Sequence, residues 1–155
     1  MKQPIAALLA GLAFAAATSG VGGQTPQPYA PGLVEYMMTV QSHHAKLWLA
    51  ANARNWDLAD YQAEELKELL EDIAKRVPDY KGVPVGKMIE AVTMPHISDV
   101  ETAIKKRDGA QFTVAFDKLT AACNACHEAA NRSFIVVQRP ATSPFPNQLF
   151  APRRK

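Results

Sequence analysis

The stretch DGAQFTVAFDKLTAACNACH, Asp108 to His127, decides how this chain folds. Phe112, Ala115, Phe116, Leu119, Ala122, Cys123 and Cys126 recur at spacings of three and four, the period of an amphipathic helix. Asp108 and Gln111 stand where a capping box would open that helix. The pattern predicts a helix from just after Asp108 that reaches Val136 or Val137. Within it, Cys123-Asn124-Ala125-Cys126-His127 spells C-x-x-C-H, the pattern that attaches haem covalently to a polypeptide. Positions i, i+3 and i+4 share one face of a helix. Both thiols can therefore bond the edge of one haem while the imidazole reaches its iron. The motif lies on the apolar face, as a buried cofactor requires.

The chain has two cysteines, and the motif uses both. A thioredoxin-like C-x-x-C belongs in a βαβ setting, and no β-type alternation of useful length occurs here. A Cys123–Cys126 disulfide would close a very small loop and leave His127 without a role. Adjacent Cys126 and His127 do not match the common zinc spacings.

Three further helices precede this one. Leu33, Met37, Val40, His44, Leu47 and Ala51 line one face of a first helix, and 52–55 makes a turn. A second helix runs from about Asp57 to Val77, with Asp57 as its cap and a stripe of Leu58, Tyr61, Leu66, Leu69, Leu70, Ile73 and Val77. Its other face is charged, with Glu71–Lys75 and Asp72–Arg76 at i,i+4. A third segment, about Val85 to Lys106, carries Met88, Ile89, Val92, Ile97, Val100 and Ile104. Pro95 sits inside it and predicts a kink or two short helices. Four amphipathic helices joined by short loops predict an all-α, antiparallel four-helix bundle with one covalently bound haem.

The flanks differ from this core. Met1-Lys2 followed by an apolar run from Ile5 to Ala17 and small residues to Gly23 reads as a secretory signal peptide, residues 1–23. Residues 24–138 then form the helical domain, and 139–155 a tail with Pro140, Pro144, Pro146 and Pro152. Phe145, Leu149 and Phe150 give that tail apolar grips that can cover the haem edge or dock a partner. The formal charge of the 155 residues is +2, with no basic stripe interleaved with aromatics, so nucleic acid is not expected as a partner. No second long apolar run appears, so no stable membrane insertion is expected after signal removal.

A late C-x-x-C-H in the last of four helices resembles the layout of the class II c-type cytochromes, the cytochrome c-prime group and its low-spin relatives, of which this chain would be a divergent branch. The resemblance covers roughly residues 33–137. It departs at Glu128 to Arg132, which do not follow the family's usual aromatic and basic pattern, and in the length of the tail. It implies an exported, periplasmic, non-enzymatic monohaem protein in which Cys123 and Cys126 attach haem c and His127 is the proximal iron ligand. A homodimer and a redox partner protein are implied in the same way.

Electron transfer through the attached haem is the expected function and the binding of NO or CO the alternative, and the opposite side of the iron decides between them. The first helix would face it. Its apolar stripe offers His44 as the candidate distal ligand and Met37 as the alternative. Their bland counterparts are a core histidine bonded to a polar neighbour and a core-filling methionine. Met38, His43, Met94 and His96 are weaker choices. Trp48, Trp56, Phe112 and Phe116 can pack a porphyrin or a plain core. Lys46, Arg54, Arg132 and Arg139 can meet propionates or water. No defined acid–base pair supports a peroxidase.

Overall fold

A computed structural model describes residues 29–153, and from Pro31 onward they form one compact unit. The expected signal peptide lies outside the described residues. The elements are α1 (Leu33–Asn52), α2 (Trp56–Arg76), α3 (Val85–Met88), a π-helical turn (Ile89–Thr93), α4 (Met94–Lys105) and α5 (Gly109–Ala129). With α3, the π turn and α4 continuous, these are four helical stretches, and no strand occurs among the described residues. No described helix is long and apolar enough to cross a membrane.

Each start has a local cause. Gly32 N–H donates to the Glu35 carboxylate (3.0 Å) at the head of α1. Asn55 rather than Asp57 caps α2, because its Oδ1 accepts from Leu58 N–H (3.3 Å); Asp57 falls in the first turn and favours the helix dipole there. Asp108 Oδ1 accepts from Ala110 and Gln111 N–H (3.0 and 2.9 Å) at the head of α5. Only half of the expected capping box forms, since Asp108 N–H bonds Ala103 O instead.

Three of the ends, those of α1, α4 and α5, follow one rule. Arg54, Arg107 and Asn131 adopt left-handed backbone (φ 58°, 53° and 56°). In each case the next N–H reaches back five residues, Asn55 to Ala50 O, Asp108 to Ala103 O and Arg132 to His127 O. These are Schellman caps. Asn55 and Asp108 thus close one helix with their backbone and open the next with their side chain. The same motif at Asn131 stops α5 at Ala129 and overturns the expected extension to Val136 or Val137.

Pro95 follows a π turn that divides the third stretch into α3 and α4. It lies in the first turn of α4, where no amide is needed from it. The π turn before it absorbs the mismatch, with Met94 N–H bonding Ile89 O five residues back. Ahead of α3, Lys81 and Gly82 both have positive φ and make a two-residue reversal in which Tyr80 and Val83 exchange backbone bonds (2.9 and 3.1 Å).

The core lies between the helices. Leu47, Leu66, Ile73, Ile97, Val100, Phe112, Phe116 and Leu119 are fully buried. Each such side chain contributes about 1.5–3 kcal/mol by leaving water. Phe116 stacks among His44, Trp48 and Phe112, with ring centroids 4.4, 5.1 and 5.7 Å away. Both expected α2 ion pairs form, Glu71–Lys75 at 3.9 Å and Asp72–Arg76 at 3.3 Å, and Lys67–Glu101 ties α2 to α4 at 3.1 Å. The proline-rich tail packs on this core: Phe150 is buried, Phe145 lies under Lys46, and Arg139 pairs with Asp117 while covering Trp48.

Candidate haem-binding cavity

Cys123, Cys126 and His127 occupy the last two turns of α5 and open onto one cavity of about 360 Å3. That lies within the roughly 300–1,000 Å3 of typical cofactor and ligand sites. α1 forms the wall that carries Leu33, Met37, Val40 and His44. The π turn contributes Ile89 and Thr93, and the small reversal before α3 contributes Tyr80 and Val83. Residues after α5, Ile135 to Val137, complete it. The two thiols, the motif histidine and both first-helix candidates therefore share one apolar space, although α1 and α5 are far apart in sequence.

The tautomer of His127 follows from its partner. Its Nδ1 lies 2.9 Å from the Ile135 carbonyl oxygen. A carbonyl can only accept, so Nδ1 carries the proton and Nε2 holds the lone pair. Nε2 has no hydrogen-bond partner among the described residues. Histidines that bind metals show this division, with one ring N–H held by a backbone carbonyl and the other nitrogen free to ligate.

His44 is arranged differently. Its Nε2 lies 2.9 Å from Thr120 Oγ1, and that hydroxyl donates its own proton to Phe116 O at 2.8 Å. The hydroxyl must therefore accept from His44, whose Nε2 carries the proton. Burial lowers the His44 pKa from 6.5 to about 4, so the ring is neutral near pH 7. Met37 lines the same wall with a thioether that has no such engagement.

Both cysteines are free thiols. Burial pushes Cys123 up to about 11, with Cys126 beside it adding to the effect. Burial also raises Cys126, offset in part by the Thr93 hydroxyl 3.9 Å from its sulfur. Their place at the C-terminal end of a helix, where the dipole disfavours a thiolate, is the reverse of a redox-active C-x-x-C. Among the described residues no three His, Cys, Asp or Glu side chains converge to hold a bare metal ion, whereas a structural zinc needs four donors on one point.

The other candidates separate. Met38 and Arg132 line the cavity. His43 donates from Nδ1 to Gln62 Oε1 (3.0 Å), Met94 packs against the core, and His96 lies beside Asp99 (3.8 Å); none of these three lines it. Trp48, Trp56 and Phe112 border a second, more polar space of about 370 Å3 with Arg54 and Arg107. Sequence reasoning missed Thr120, Tyr80, Val83 and Asn124. A threonine on the apolar face of α5 was the one available signal for a buried polar partner. Compared with known proteins, the chain matches no family model, no curated protein and no solved structure.

Proposed function

We propose that this chain is an exported, periplasmic monohaem c-type cytochrome that transfers electrons to a protein partner, built on an antiparallel four-helix bundle. The three-residue turns 53–55 and 106–108, each passing through a left-handed residue, support the reversal of chain direction between successive helices. The single observation that carries the functional reading is the convergence of Cys123, Cys126 and a free His127 Nε2 on one apolar cavity.

The residues fit the group. Cys123 and Cys126 would each add S–H across a vinyl group, the sulfur and the proton going to its two carbons, so no leaving group is needed. Burial keeps both thiols protonated, which disfavours disulfide exchange between them. His127 would present Nε2 to the iron while Ile135 holds its orientation. For the opposite side the first helix offers the Met37 thioether and His44 Nδ1, the ring nitrogen that Thr120 does not engage. When bound, haem supplies the one-electron couple of its iron; the apolar wall keeps that couple dry, and burial tunes its potential.

A second reading, a binder of NO or CO, draws on the same His44–Thr120 bond, which ties the His44 ring to α5 by its Nε2 and restrains it from turning toward the iron. Expression with a c-type maturation system tests both. The purified chain should gain the mass of one haem, and the Cys123→Ala/Cys126→Ala double variant should not. A wild-type mass without haem overturns the proposal. Low-spin spectra altered by Met37→Ala or by His44→Ala favour electron transfer; high-spin iron that binds CO readily favours the gas binder.

A further inference from the structure

We infer that Asn124, between the two cysteines, is a positioning residue that latches the segment after α5 and thereby holds the Ile135 carbonyl on His127. The chain leaves α5 through the Schellman cap at Asn131 and turns back along the helix it has just left. Val137 N–H donates to Asn124 Oδ1 (2.8 Å), and Asn124 Nδ2 donates to Val137 O (3.0 Å). One amide grips both backbone groups of one residue, which fixes the register of the returning segment as well as its distance. Two residues earlier, Ile135 O receives the His127 Nδ1 proton.

Packing holds little of this segment, in which only Val137 is half-buried among 134–137. Phe134, Ile135 and Val136 are 77%, 46% and 71% exposed. Among the described residues, the side-chain bonds that tie 133–137 to α5 come from Asn124 and His127 alone. Arg139, paired with Asp117, holds the chain to α5 just beyond, and the latch sets the register of 133–137 between that pair and the end of the helix. With it in place, Ile135 to Val137 wall the cavity and the His127 ring has a fixed tautomer. Without it, His127 must find another acceptor for Nδ1. The latch stands on these bonds; its consequence for iron rests on the haem reading above.

The test uses the full-chain protein after maturation, with hydrogen exchange at the Val137 amide, the reduction potential and the covalent haem mass measured together. Asn124→Ala should speed Val137 exchange about tenfold, the size expected for losing one net hydrogen bond. The potential should rise, because an imidazole without its carbonyl acceptor is a weaker donor to ferric iron. Asn124→Asp keeps the acceptor for Val137 N–H and loses the donor, so it should lie between Ala and wild type. Val137→Pro removes the same bond from the other side and should move the potential in the same direction, with the motif untouched. A wild-type mass lacking haem would overturn the haem reading and leave the exchange result to judge the latch. Unchanged Val137 exchange, or a potential that stays or falls in a haem-loaded Asn124→Ala chain, overturns the inference.

Discussion

His44 sets a pH dependence that can be worked from the structure. The ring is 2% exposed, its Nε2 proton is held by Thr120, and burial lowers its pKa to about 4 from the 6.5 of a solvated histidine. Protonating it would place an additional N–H and a full charge in that apolar wall. The unfolded chain has no such restriction, so between pH 6.5 and 4 it binds the more protons. The His44 contribution is thus fully present above pH 6.5 and is lost as pH falls toward 4. Each pH unit in that window is worth about 1.4 kcal/mol, which gives a loss of about 2 kcal/mol at pH 5 and about 3 kcal/mol at pH 4. Urea unfolding at pH 7.5, 6, 5 and 4.5 measures it, on the wild type and on His44→Gln, which keeps a donor for Thr120 and cannot titrate. The wild type should lose about 2 kcal/mol more than the variant between pH 7.5 and 5. Parallel stability curves for the two would refute the burial of a neutral His44.

Two further outcomes follow from local geometry. Gly86→Ala would place a Cβ 2.7 Å from Ala74 O and 3.2 Å from Pro78 Cα, both backbone atoms. Alanine gains roughly 0.5–1 kcal/mol over glycine in a helix, but overpacking against a backbone that cannot rotate away costs about 1–3 kcal/mol, so urea denaturation should show a net loss. Before haem attachment, timed alkylation at pH 8 should label Cys126 ahead of Cys123, whose rate should keep rising toward a pKa of about 11; rapid labelling of Cys123 at pH 7 would contradict its burial.

Much of the helical layout was legible because its causes are short-range. The stripes on α1 and α2 repeat every three or four residues, and the α2 ion pairs lie one turn apart. The missed boundaries have local causes of a subtler kind. Asn131 ends α5 although apolar residues continue past it, since Ile135 and Val136 look like a continuing stripe but serve a returning strap. Asn55 displaces Asp57 as the α2 cap because its backbone already closes α1. Pro95 predicted a kink or two short helices, and a π turn, Ile89–Thr93, separates α3 from α4 just ahead of it.

By itself, the sequence determined that Cys123, Cys126 and His127 share one helical face, and that Met37 and His44 share another on the first helix. Periodicity carries that much, because a helix relates residues three and four apart. Only the tertiary structure decided that the two faces border one cavity, and which nitrogen of each histidine is free within it. His44 meets Thr120 across 76 positions, and His127 meets Ile135 only after a chain reversal. A ring's tautomer depends on the partner packed against it, and that partner is chosen by the fold rather than by its neighbours in the chain.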